Sequence, residues 1–148
     1  MSIDLLQVKG VKCSSIASGI KKNNILDLSL ISLSKGSSTA AVFTQNIFCA
    51  APVIVSKNHI NSNIEALLIN SGNANAGTGE RGLEDCYNTC VYLAEELEIK
   101  PEQVLPFSTG VIGEFLPLEA FKSNVKILVS SLSKNGMSKV ANGILTTD

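Results

Sequence analysis

Tryptophan is absent from this 148-residue chain, there is a single histidine, and aromatic residues make up only 5% of it. Charge is also scarce: Asp, Glu, Lys and Arg supply 17% of the residues and leave a net charge of −1. Lys21-Lys22 is the one basic pair. A nucleic-acid binder would carry a basic stripe, often with aromatic platforms for bases, so no nucleic-acid partner is expected. No apolar run approaches the roughly 18–20 residues that cross a bilayer, so no membrane partner is expected either. The N-terminus lacks both the charged-then-apolar layout of a secretory leader and the Arg-rich character of a transit peptide. The expected location is cytoplasmic.

The shortage of histidine bounds the chemistry. His59 lies in an Asn-rich stretch with Asn58 and Asn61 and reads as a surface turn residue. A Ser-His-Asp or Cys-His site could be assembled only around it, and nothing marks it for that role. Cys86 and Cys90, four apart, would share a helix face, but a zinc site needs two more ligands. Cys13, Cys49, Cys86 and Cys90 sit in apolar contexts and are expected as buried core thiols, with no metal and no cofactor.

What the chain does have is 45% hydrophobic residues. Its length suits one domain of about 150 residues, spanning 1–148. A chain of this size removes about 68–70% of its unfolded surface from water. The first half reads as strands: Val11 to Ile20, then Leu26 to Leu33 with a phase shift at Ile31 that suggests a bulge. Thr39–Thr44 and Pro52–Ser56 are short β-rich runs, and Glu65–Asn70 reads as a fully buried strand. Leu83, Cys86, Tyr87, Cys90, Val91, Ala94 and Leu97 recur at helical spacing, with Pro101 beyond the end. A strand over 104–108 follows. Pro117 then opens a second helix with Leu118, Phe121, Val125, Leu128 and Leu132 on one face, broken by Asn135-Gly136 before a short helical stretch to about Ile144. Strands followed by strand–helix alternation predict a layered α+β domain.

Two stretches carry chemistry. In Val104–Pro117 an apolar run stops at Ser108-Thr109-Gly110. That is a common turn, and it is also a way to bring a hydroxyl and an unobstructed backbone N–H to one point, as an oxyanion site requires. In Asn70–Gly82, Gly77, Gly79 and Gly82 match G-x-G-x-x-G formally. The first glycine of a dinucleotide fingerprint follows its strand directly, whereas Gly77 lies well beyond Asn70, and no acidic residue ends the next strand. A long ordered loop, with Asn73 and Asn75 bonding it internally, is the remaining reading.

Four ordered segments resemble one family. They are Asn70–Ala76 with Thr78-Gly79; Leu105–Glu114 with Leu116-Pro117; Phe43-Thr-Gln-Asn46 with Ala50–Val53; and Gly143–Asp148. The chain is thereby similar, over essentially its whole length, to the bifunctional ornithine acetyltransferase/glutamate N-acetyltransferase family of arginine biosynthesis. The resemblance implies an α/β fold, a layered α+β sandwich of the DmpA and ornithine-acetyltransferase kind. It implies a precursor that cleaves itself, the new N-terminal threonine of the β chain being the nucleophile. Its own α-amine can serve as the base, so no histidine is needed.

The resemblance further assigns the oxyanion hole to Thr109 and Gly110 and substrate binding to Thr146. N-acetylornithine and glutamate are the implied substrates, with acetyl-CoA left open as a further donor. The β chain is the implied partner, in an (αβ)2 assembly. The family's α chain continues some tens of residues beyond the Thr-Thr-Asp segment, through a substrate-binding lysine. This chain is therefore expected to be the α-chain portion and silent on its own, with exposed apolar surface where the partner would sit. The alternative is a non-catalytic interaction domain that keeps the motifs for packing.

Overall fold

The computed structural model describes residues 7–146; the N-terminal residues read for a leader, and Thr147 and Asp148 of the last motif, lie outside them. Antiparallel pairing joins β1 (Val11–Ile16) to β2 (Leu28–Leu33) and β2 to β3 (Ala66–Asn73), while β3 runs parallel to β4 (Val104–Val111). The sheet order is β1-β2-β3-β4, which puts β4 on an edge. A hairpin cannot connect parallel neighbours. The chain returns instead through α2 (Gly79–Leu97) and a 3₁₀ turn at Pro101–Gln103.

The pleat sends Leu28, Leu30, Ala66, Leu68 and Val104 to one face, where they meet Cys86, Cys90 and Leu93 of α2. Phe121 of α3 (Leu118–Lys122) and Val125 and Leu128 of α4 (Val125–Ser130) close the same core. The other face carries Ser15 and Ser29, and over them lies α5 (Met137–Gly143). Small residues permit that approach: a Cβ on Gly143 would fall 2.3 Å from Ser15 Oγ, and one on Gly136 would fall 1.9 Å from Cys13 O. Helices on both faces of a mixed sheet give the layered α/β fold expected.

Several elements depart from expectation. The expected strand Pro52–Ser56 is part of a helix, α1 (Ala51–His59). Its buried positions, Ala51, Pro52, Val55, Ser56 and His59, follow helical spacing, and the proline sits in the first turn, where a missing N–H costs nothing. Thr39–Thr44 forms no strand. β1 ends at Ile16, β2 begins at Leu28, and the β2 register runs without a bulge, because Ile31 and Leu33 simply occupy the face opposite Leu28 and Leu30. The single helix expected after Pro117 is two, interrupted at Ser123-Asn124. There Asn124 Nδ2 donates to Ala120 O at 2.8 Å and reaches Ser18 O at 3.4 Å, competing with the helical ladder.

The irregular segment from 34 to 50 leaves Val42 98% and Ile47 100% exposed, and Phe48 is exposed beside them. The exposed apolar surface expected of this chain is present there.

Candidate active site

The outer edge of β4 is closed over its first half. His59 Nδ1 lies 2.8 Å from Val104 O, Ser56 Oγ donates to Pro106 O at 3.1 Å, and Pro106 has no N–H to present. His59 is therefore no surface turn residue; it is buried, edge-on to Tyr87, and caps a strand. Residues of a parallel strand alternate in bonding inward and outward. Val104 and Pro106 face outward, so Ser108 and Gly110 do too, while Thr109 and Val111 flank Asn73 on the inner side. The open part of the edge starts at Ser108, and the Gly110 N–H lies on it.

Gly110 has φ +132°, and a Cβ there would sit 2.4 Å from Gly72 C and 2.6 Å from Asn73 N. Only glycine lets β4 lie this close to the irregular end of β3. Ser108 Oγ is committed to Asn70 Oδ1 at 2.6 Å. The half-buried Thr109 hydroxyl has no hydrogen-bond partner among the described residues. Ser108-Thr109-Gly110 thus presents one hydroxyl and one backbone N–H, a donor pair suited to charge developing on a carbonyl oxygen.

Both sequence motifs meet on the inner side of this end of β4. Ala74 N–H donates to Val111 O at 2.9 Å, and Gly113 N–H to Ala76 O at 2.8 Å. Asn73 Nδ2 donates to Phe115 O at 3.0 Å, and its Oδ1 accepts the Asn75 N–H at 2.8 Å. Asn75, at φ +46°, donates to Gly82 O at 2.9 Å and accepts from Thr78 Oγ1 at 2.7 Å. The expected internal bonding of Asn73 and Asn75 is present. What the sequence did not show is that Asn73 also binds the second motif, because that contact spans 42 residues. Gly79 and Gly82 lie inside α2, and a Cβ on Gly82 would fall 1.8 Å from Thr78 Oγ1, so packing accounts for it. Arg81 stacks 3.9 Å above the Phe115 ring and further ties α2 to this segment.

Thr146 is exposed just beyond α5. It is linked to the edge indirectly: Ser71, the register partner of Thr109, donates to Gly143 O, and Lys21 Nζ donates to Leu145 O. Cys13, Cys86 and Cys90 are buried, whereas Cys49 is only half-buried, in the irregular segment. Burial pushes the Cys90 thiol up to about 12 and raises Cys86 as well, with the neighbouring Cys90 adding to the shift. Neither is a nucleophile at neutral pH. Among the described residues no three His, Cys, Asp or Glu side chains are grouped to hold a metal.

Residues 12–148 match the sequence pattern of the ArgJ family. The chain belongs to that family. It is 44% identical over 146 residues to the arginine biosynthesis bifunctional protein ArgJ of Methylococcus capsulatus, covering 99% of this chain and 36% of the relative. The corresponding proteins of Colwellia psychrerythraea and Pseudomonas fluorescens are 42% and 43% identical, over 97% and 95% of this chain and 37% and 35% of theirs. The chain therefore spans about a third of the length of the curated ArgJ relatives it matches. Two solved structures share its fold. ArgJ of Bacillus halodurans aligns with a TM-score of 0.87 at 38% identity, over 95% of this chain and 74% of that one. The ornithine acetyltransferase of Mycobacterium tuberculosis, solved with ornithine, aligns with a TM-score of 0.89 at 33% identity, over 95% of this chain and 77% of that one.

Proposed function

We propose that this chain is the α-chain portion of an ArgJ acetyltransferase that moves acetyl from N-acetylornithine to glutamate. The observation that carries the proposal is the end of β4 beyond its closed edge, where the Thr109 hydroxyl has no partner among the described residues and the Gly110 N–H belongs to the outward-facing set. The nucleophile is the N-terminal threonine of a β chain, whose α-amine takes the hydroxyl proton. Its Oγ attacks the acetyl carbonyl, Thr109 and Gly110 hold the oxyanion, and collapse releases ornithine with that proton returned to the leaving amine. The glutamate amine then takes the acetyl group from the acyl-enzyme, and Thr146 hydrogen-bonds the amino-acid substrate. Two relations support the two-chain reading. The same segment fills 36% of a curated relative but 74–77% of each solved chain, so the solved chains are about half as long. Val42, Ile47 and Phe48 supply apolar surface for a β chain to cover.

The second reading, an interaction domain without catalysis, is favoured by one observation: packing against Gly72 and Asn73 requires Gly110 to be glycine whether or not an oxyanion is bound. An acetyl-transfer assay from N-acetylornithine to glutamate separates the two. Activity is expected when the chain is co-produced with the remaining C-terminal segment of an ArgJ precursor, and not from the chain alone. A correctly cleaved, assembled but inactive complex would favour the interaction domain.

A further inference from the structure

The Ser108-Thr109-Gly110 strand end is held from one side by two buried carboxamides. Asn70 accepts the Ser108 hydroxyl on Oδ1 and donates from Nδ2 to Asn73 O at 2.8 Å. Asn73 accepts from Asn75 on Oδ1 and donates from Nδ2 to Phe115 O and, at 3.3 Å, to Glu114 O. The two side chains therefore tie the residue before the donor pair to the segment that follows it. Both are nearly inaccessible, Asn70 at 2% and Asn73 at 5% exposure, so neither is placed to touch substrate. Each uses both an acceptor and a donor on one head group, as a carboxamide allows and a carboxylate does not. Asn70 holds the carbonyl of Asn73, one peptide beyond the Gly72–Asn73 peptide against which Gly110 is packed without room for a Cβ.

We propose that Asn70 and Asn73 are positioning residues for the acetyl-transfer reaction, with Asn73 setting where the Thr109 and Gly110 donors point. This rests on the acetyltransferase reading. Oxyanion stabilisation depends on donors fixed at the place where charge develops, and a shift of about 1 Å in such a group costs about 10²-fold in rate. Asn73→Asp keeps the acceptor for the Asn75 N–H and the shape of the side chain. It removes the donor to the two carbonyls and sets a negative oxygen against them, pushing the 114–115 segment away. Asn70→Asp keeps the Ser108 contact and loses the donor to Asn73 O.

The test uses the full-length, cleaved enzyme and two readouts. Asn73→Asp is expected to lower kcat about 10²-fold with KM for N-acetylornithine within about twofold, at equal yield of cleaved complex. Hydrogen–deuterium exchange is expected to quicken at the amides of residues 110–113 while those of β1 and β2 keep their protection. An unchanged kcat in the cleaved variant, when the wild type is active, overturns the positioning role. Unchanged exchange at 110–113 overturns the brace itself, and this readout needs no activity. An inactive wild-type enzyme with quickened exchange in the variant would instead count against the acetyltransferase reading, and with it against a role in catalysis.

Discussion

Thr109 and Gly110 differ in what their surroundings demand of them. Nothing among the described residues holds the Thr109 hydroxyl, so Thr109→Ala removes a donor and little packing. In the assembled enzyme it is expected to lower kcat by about 10²–10³, with the melting temperature close to that of the wild type, and Thr109→Ser is expected to keep most of the rate. Equal turnover in the alanine variant would exclude Thr109 from the oxyanion site. Gly110 is constrained by space as well as by backbone. Gly110→Ala would force its Cβ into the Gly72–Asn73 peptide, 2.4 Å away, and is expected to separate β4 from β3 at this end. Gly113, at φ +86°, has nothing within 4 Å of the added carbon. Gly113→Ala should then cost only about 1 kcal/mol of backbone strain, and thermal unfolding should rank the Gly110 variant well below it.

At the level of elements, α1 does the work of a neighbouring strand on the outer side of β4. His59→Leu leaves Val104 O, in a buried place, only the weak Cys90 thiol donor at 4.0 Å, and is expected to cost about 1–3 kcal/mol in chemical denaturation. It also uncovers a strand edge, so light scattering should show more self-association than in the wild type. This element is also where sequence and structure part. Pro52-Val-Ile-Val-Ser56 is β-branched and reads as a strand, yet the buried positions of α1 recur at helical spacing, and its Ser56 and His59 cap strand carbonyls far along the chain. Local propensity cannot register bonds made across 45 and 50 residues. Thr39–Thr44, equally β-rich in composition, pairs with no strand of the sheet. By contrast α2 was legible because its burial repeats with the helical period, and β3 because of its apolar run. The first residues of β3 are nevertheless buried alternately rather than fully, and it runs on to Asn73 because pairing with β4 continues. Of the candidate site, the Ser108-Thr109-Gly110 stretch was visible in the sequence, but as a turn after a strand ending at 108; it lies within β4, which runs on to Val111 because the stretch stays paired with Asn70, Ser71 and Gly72. Its joining to the Asn70 and Asn73 side chains was not visible.

Across the molecule as a whole, two thiols on the inner face of α2 stand out in titration. Both hold their protons in the folded chain well beyond the ordinary 9.0. The unfolded chain releases them as pH passes about 9, while the folded chain keeps the Cys90 proton to about 12. Stability contributed by these groups is therefore full below pH 9 and is lost as pH rises above it. Denaturation midpoints measured between pH 7 and 10.5 are expected to fall over the upper part of that range, and less so in a Cys86→Ala, Cys90→Ala double variant. A flat profile in the parent would contradict the burial of the pair. The same helix has a consequence for how the site comes into being. Ser108 meets Asn70 across 38 residues and Phe115 meets Asn73 across 42, with all of α2 lying between. A nascent chain that has emerged only as far as α2 possesses the glycine-rich loop but none of the donor pair's geometry. The geometry of the proposed donor pair is thus completed when the long crossover closes rather than when either motif is made.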